Sequence, residues 1–266
     1  MNSKKLINLE ELENKYLKKY TYFLKFAEHE ILVGLDTGRK NLKYWKELYG
    51  SKIKVGRNNQ KTGISVYSRG AERVIYALLN GKGIGNPNSA PVGSDLFFEV
   101  DDAFIHIDLK TVGASLKKGT SSNIGDFKED IFVGENQNSY SGTIKVKNKP
   151  SRSYKANLPT EYTINRKTKP CLTYFICILY DKDTLETLLI NILCMPNGEL
   201  EPIYRDRPLK AGKNVGKTRF NFSKTENFEL LEGPKRIQVA YVNENMDAKY
   251  QNQLSFLLNI HKSSIT

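Results

Sequence analysis

The chain has 266 residues and a net charge of +12, with 39% hydrophobic and 11% aromatic residues. That composition excludes whole-chain disorder, and the length buries a core without disulfides or a structural metal. No apolar run approaches the ~20 residues of a membrane span. The opening MNSKKLINLEELENKYLKK has no apolar stretch of secretory type. A cytoplasmic protein without a membrane partner is expected. Cys171, Cys177 and Cys194 lack metal-ligand spacing and read as buried, reduced thiols.

In chain order, Leu9, Leu12, Tyr16, Tyr20, Phe23, Leu24, Ala27 and Ile31 recur at spacings of three and four, which predicts a helix over 9–33. Asn8 and Glu11 give it a capping-box-like start. A short helix is expected over 41–49, a polar loop over 50–64 and a clearer helix over 68–79. A loop follows at 81–93, then strands at 95–100 and 103–112. Residues 113–142 read as a long polar loop. Further strands are expected at 172–180, 187–195 and 235–242, and a last helix at 246–261. This order predicts an α/β fold with a central mixed β-sheet flanked by helices. It shows no domain boundary, so residues 1–266 are expected to form one domain, with 1–60 as a helical N-terminal subregion.

The positive charge is concentrated. Residues 143–170 carry eight Lys or Arg against Glu161 alone, net +7, and residues 205–224 carry seven against Asp206, net +6. The rest of the chain is near neutral. Both stretches mix basic residues with hydroxyls, amides, Tyr and Phe, as phosphate tracking and base-edge contact require. Arg207, Lys213, Lys217 and Arg219 are candidate DNA contacts in the second stretch. In the long polar loop Lys117, Lys118, Gln137, Ser139 and Tyr140 are further candidates. Gly212–Thr218 resembles a phosphate-binding NTP loop but is one residue short between its glycines and follows no apolar strand.

The most informative segment is 93–112, GSDLFFEVDDAFIHIDLKTV. A two-residue turn at Asp101–Asp102 pairs Leu96 with Ile107 and Phe97 with His106. One face then carries Leu96, Phe98, Val100, Ala103, Ile105, Ile107 and Leu109, all apolar. The other carries Asp95, Phe97, Glu99, Phe104, His106, Asp108 and Lys110, with Asp95 opposite Asp108. A four-residue turn keeps these faces but sets Asp95 opposite Lys110. Two facing carboxylates repel unless a cation lies between them. A divalent metal resolves the conflict, and so does a solvent-facing Asp–Lys–Asp ion cluster. His106 reads as a packed, hydrogen-bonded histidine or as a contact to DNA or water, and Glu99 as a more distant acid.

Ser94-Asp95, twelve residues, then Asp108-Leu109-Lys110 resembles the PD-(D/E)xK nuclease motif, with Ser in the Pro position. With the upstream helix bearing Glu72, the segment is similar to type II restriction endonucleases of that superfamily. The resemblance implies a restriction-endonuclease-like fold and Mg²⁺ held by Asp95, Asp108 and the Leu109 carbonyl. It also implies that Lys110 holds or helps deprotonate the attacking water, with Glu72 as an extra acid. The implied activity is site-specific hydrolysis of double-stranded DNA, leaving 5′-phosphate ends. A homodimer, a cognate DNA methyltransferase as genetic partner and a prokaryotic cytoplasm follow from the same resemblance. The rivals are a non-catalytic nucleic-acid-binding protein and a structure-specific repair or recombination nuclease of the same fold.

Overall fold

The computed structural model describes residues 3–49, 66–81, 86–88, 95–120, 122–146, 148–199, 209–211, 217–222 and 236–263. The apolar stripe expected over 9–33 runs through two helices, α1 (Ser3–Phe26) and α2 (Glu28–Tyr49), divided only at Ala27. The hydrogen-bond ladder crosses the division, from the Ala27 N–H to the Phe23 carbonyl and from the Ile31 N–H to the Ala27 carbonyl. Tyr16, Tyr20, Leu24, Ala27 and Ile31 are all buried, as their spacing requires. The expected helix at 41–49 is the end of α2, and the one at 68–79 is α3 (Val66–Gly81), which buries Ala71, Ile75 and Leu79. The expected loop at 50–64 lies outside the described residues, as does most of 81–93.

Within 81–93, β1 (Asn86–Asn88) pairs with β2 (Leu96–Glu99), which pairs with β3 (Phe104–Ala114). The first sheet continues through β8 (Lys167–Asp181), β9 (Thr187–Met195) and β13 (Ile237–Val242) in the order β1-β2-β3-β8-β9-β13. A short strand, β7 (Glu161–Ile164), pairs with the start of β8. The β3–β8 pairing is parallel and its neighbours are antiparallel, so the sheet is mixed. Parallel neighbours need a long crossover. The segment between β3 and β8 supplies it, which corrects the expectation of a structureless loop at 113–142.

That crossover holds α4 (Gly125–Lys128), β4 (Asp130–Gly134), a single 3-10 turn at Glu135–Gln137, β5 (Tyr140–Val146) and β6 (Lys149–Lys155). With β10 (Gly198–Glu199), β11 (Leu209–Ala211) and β12 (Lys217–Asn221) they build a second sheet, in the order β10-β5-β11-β12-β4 with β6 on β5. Its strands are short, and β4 finds its partner, β12, more than eighty residues away. Local alternation is therefore weak there.

Helices α1–α3 cover one face of the first sheet through Leu96, Phe98, Ile105, Ile107, Ile176 and Ile192. The other face, with Phe175, Cys177, Leu189 and Leu193, packs against Ile131, Val133, Tyr140 and Phe220 of the second sheet. The C-terminal helices α5 (Ala248–Gln253) and α6 (Ser255–Ser263) join that core through Tyr250, Leu257 and Ile260, dividing the single helix expected at 246–261. Each such fully buried side chain contributes about 1.5–3 kcal/mol relative to exposure. The architecture is α/β with a central mixed sheet flanked by helices. The three cysteines are free and buried. Among the described residues no helix is long and apolar enough to cross a membrane.

Candidate active site

The hairpin of β2 and β3 turns at Asp101–Asp102, closed by the Val100 N–H donating to the Ala103 carbonyl at 3.0 Å. Asp102 is pinned to α1 by the Lys15 ammonium and the Tyr16 hydroxyl. From there Glu99 pairs with Phe104, Phe98 with Ile105, Phe97 with His106 and Leu96 with Ile107. This is the register that the two-residue turn predicts. Leu96, Phe98, Ala103, Ile105, Ile107 and Leu109 accordingly enter the core beneath the helices.

The opposite face is covered as well. β7 and β8 are joined by a two-residue turn at Asn165–Arg166, both with positive φ (51° and 63°), as a type I′ hairpin requires. That hairpin folds Tyr162 over the face. Its ring stacks on His106 at 5.8 Å, its hydroxyl hydrogen-bonds His106 Nε2 at 3.2 Å, and Phe97 lies 4.7 Å from the imidazole. His106 has no exposed surface, and burial pushes its pKa down to about 4. It is the packed, hydrogen-bonded histidine of the two readings. Glu99 turns outward to Lys169 at 2.8 Å, away from Asp108.

Two residues further along the same face the surroundings change. Asp108 is only 2% exposed; its Oδ1 accepts from Gln137 Nε2 at 2.9 Å and its Oδ2 meets the Lys110 ammonium. Lys110 also lies over the Phe175 ring at 5.3 Å. Asp95, just before β2, accepts the Leu109 N–H on Oδ2 at 2.9 Å, where the pairing of β2 with β3 ends. The N–H and C=O of one strand residue point to the same edge, so the Leu109 carbonyl faces this edge too. Burial pushes the Asp108 carboxyl up to about 7; Lys110 opposes that shift and the Asp95 carboxylate adds to it. From α3, Tyr76 places a buried hydroxyl beside the cluster that makes no hydrogen bond of normal geometry among the described residues. Burial, then Asp95, Glu72 and Asp108, hold its pKa well above the usual tyrosine range.

The structure therefore gathers Asp95, Asp108, Leu109 and Lys110 at one strand end, with Glu72 close enough to act on the same tyrosine. Tyr76 and the inward-facing Gln137 join this cluster although the sequence offered no signal for either role. Lys110 also lines an open cleft of about 450 Å³ together with Phe132, Gly134, Asn136, Gln137 and Lys217.

The other candidate DNA contacts divide. Lys217 is exposed at the cleft edge, whereas Arg219 is held over the Phe132 ring at 4.4 Å and 3.5 Å from Asp126. Lys118 is exposed, and Lys117 is exposed but paired with Asp183 at 3.0 Å. Ser139 and Tyr140 are corrected: they are 6% and 0% exposed because the start of β5 lies inside the second sheet's core. Gln137 is corrected too, since its amide turns inward to Asp108. Arg207 and Lys213 lie outside the described residues, as does most of the loop at 212–218.

Among the described residues no three His, Cys, Asp or Glu side chains converge as a metal site. The donors present are two carboxylates and a backbone carbonyl. They suit a hard divalent cation, which takes one or two carboxylates and completes its shell with water and phosphate oxygens. Lys110 supplies one positive charge for the two carboxylates, which leaves a charge for a cation to balance.

Comparison with known proteins bears on what this arrangement does. The family profile of the type II restriction enzyme MwoI, N-terminal domain, matches residues 5–184, and that of the MwoI central domain matches residues 187–242. The restriction endonuclease BglI bound to its DNA recognition sequence superposes with a TM-score of 0.65 at 15% identity, over 92% of this chain and 93% of that one. The tetrameric restriction endonuclease SfiI bound to cognate DNA gives 0.57 at 15% identity, over 91% and 87%. At that identity the two structures establish the shared fold. No curated protein sequence gives a significant match. The family match spans α3, the hairpin and β8, the elements that carry the cluster. The chain belongs to the family of the type II restriction enzyme MwoI and is a sequence-specific DNA endonuclease.

Proposed function

We propose that Asp95, Asp108 and Lys110 form the hydrolytic centre of this endonuclease. The observation that carries the reading is the buried Asp108 carboxylate, held beside Asp95 and in contact with the ammonium of Lys110, which itself lines an open cleft. Restriction endonucleases take a divalent metal cofactor. Here it would be Mg²⁺, held by the Asp95 and Asp108 carboxylates and the Leu109 carbonyl. When bound, the cation polarises the scissile phosphate and offsets charge on the leaving 3′ oxygen. Lys110 Nζ hydrogen-bonds the attacking water and helps to deprotonate it. Asp95 is steadied for its role by the Leu109 N–H. Glu72 serves as the additional acid, acting from α3 alongside Tyr76.

The DNA backbone runs along the cleft, with Lys217 on a phosphate and the exposed Lys118 as a further phosphate contact. The products are 5′-phosphate and 3′-hydroxyl ends. Cleavage of both strands at a two-fold symmetric site calls for a homodimer with one centre per strand. A cognate DNA methyltransferase would be its genetic partner, in a prokaryotic cytoplasm. Residues 1–266 act as one domain, with the helices before residue 60 as its N-terminal subregion.

The test is digestion of unmethylated phage DNA by the wild type and by Lys110→Ala, each with Mg²⁺ and with EDTA. Discrete fragments that need both Mg²⁺ and Lys110 are expected. Discrete fragments from Lys110→Ala at the wild-type rate would remove this hairpin from the chemistry.

A further inference from the structure

Gln137 ends the tripeptide Glu135–Gln137, whose 3-10 turn forms a wall of the cleft, and its amide is engaged at both ends. Oε1 accepts the Gly134 N–H at 2.9 Å, and Nε2 donates to Asp108 Oδ1 at 2.9 Å. An amide oxygen only accepts and an amide nitrogen only donates, so the bond to Gly134 dictates which end faces the carboxylate. The turn is itself held in place. The Asn157 N–H donates to the Glu135 carbonyl at 2.7 Å, and Asn157 Nδ2 donates to Asn136 Oδ1 at 2.6 Å. Asn138 Nδ2 bridges the Gly134 carbonyl and the Tyr154 hydroxyl, at 3.0 and 2.9 Å.

Strand β3 places the Asp108 Cβ but does not set the plane of its carboxylate, because a terminal aspartate torsion is broad. Two contacts on separate oxygens do set it: the ion pair with Lys110 from the same strand and the hydrogen bond from Gln137 in the turn between β4 and β5. Resting on the assignment of Asp95, Asp108 and Lys110 as the hydrolytic centre, the geometry points to Gln137 as the positioning residue for Asp108. It ties the plane of the carboxylate to the placement of the cleft wall. A duplex seated against that wall acts on the carboxylate of Asp108 through this side chain, so seating and cleavage are coupled there.

Two variants separate the possibilities. Gln137→Met keeps the volume and offers no donor; Gln137→Glu keeps the acceptor for Gly134 but turns a carboxylate towards Asp108. Both should lose about 10- to 100-fold in single-turnover cleavage at saturating DNA. Gln137→Met should bind DNA in EDTA within about twofold of the wild type, since it alters neither charge nor a phosphate contact. The rise in melting temperature on adding Mg²⁺ should be smaller for Gln137→Met, because a misplaced carboxylate binds the cation less tightly. Cleavage by Gln137→Glu at or above the wild-type rate would overturn the inference, leaving the Gly134 bond as the side chain's role. A loss that appears only as weaker DNA binding would overturn it too, in favour of a direct DNA contact. Lys110→Ala runs alongside: if it cleaves normally the assignment of the centre fails, whereas a dead Lys110→Ala with normal Gln137 variants refutes only the role of Gln137.

Discussion

The two halves of the hairpin face, the one near the turn and the one away from it, carry the same alternation, yet they end in opposite chemical states. His106 and Asp108 sit two residues apart on one face, and both are buried. At the His106 end, Phe97, Phe104 and Tyr162 seal the face, and the imidazole answers burial by staying neutral. At the Asp108 end an ammonium, an amide and a second carboxylate meet beside an open cleft. Burial alone therefore does not make a reactive site. What distinguishes the Asp108 end is burial combined with unbalanced charge and access for a phosphate polymer.

The largest effect belongs to the open half. Asp95→Ala should lose about a hundredfold or more in cleavage rate, the scale of removing one group that stabilises transition-state charge. Its melting temperature in EDTA should stay near the wild type. At the sealed half, Tyr162→Ala should cost about 2–3 kcal/mol in urea unfolding, because the ring is half-buried over three others. Cleavage per folded molecule should survive that change, and the His106 pKa followed by NMR should move back up towards 6.5.

Acid and base sharpen the contrast, because the two groups respond with opposite sign. The folded pKa of His106 is depressed, so its contribution to stability is present above 6.5 and is lost as pH falls through about 4. His106→Gln should flatten that part of the stability profile, a change of about 3 kcal/mol at the acid end. The folded pKa of Asp108 is raised, so in EDTA its contribution is present below about 4 and is lost as pH rises through about 7. Asp108→Asn should therefore be more stable than the wild type above pH 7 without metal. An Asp108→Asn protein less stable than the wild type at pH 8 in EDTA would contradict the burial argument. The smallest effect is at the cleft edge. Lys217→Ala should weaken DNA binding by about 1 kcal/mol, equally for cognate and other sequences, and reduce the salt slope by about one.

The sequence made the hairpin legible because seven apolar residues on one face admit only an even-length turn, so the faces followed from the alternation, while the choice between a two- and a four-residue turn, and with it the register, needed the structure. The helix stripes were legible for the same reason, and Asp95, Asp108 and Lys110 converge as the resemblance implied. The second sheet was not legible. In β4 the inward set is only Ile131 and Val133, β5 is diluted by Gly142 and Thr143, and their partner strands come from distant sequence. Reading that region as a loop put Ser139 and Tyr140 on the DNA side, and tertiary pairing buries them. Gln137 was singled out as an amide able to contact DNA. Only the crossover shows that the same amide reaches Asp108. The lid over His106 was hidden because Tyr162 lies in a basic, polar stretch whose turn at Asn165–Arg166 depends on two positive φ angles.

The central claim is that the open half of the hairpin face, at Asp95, Asp108 and Lys110, performs the hydrolysis while the rest of the molecule binds and positions DNA. Once the cleavage site is mapped from fragment ends, the most direct measurement compares Asp108→Asn with the wild type on one cognate duplex, reading affinity in EDTA and cleavage in Mg²⁺. Undiminished affinity with cleavage abolished is the predicted result. Cleavage by Asp108→Asn at the wild-type rate would contradict the account and place the chemistry elsewhere in the chain.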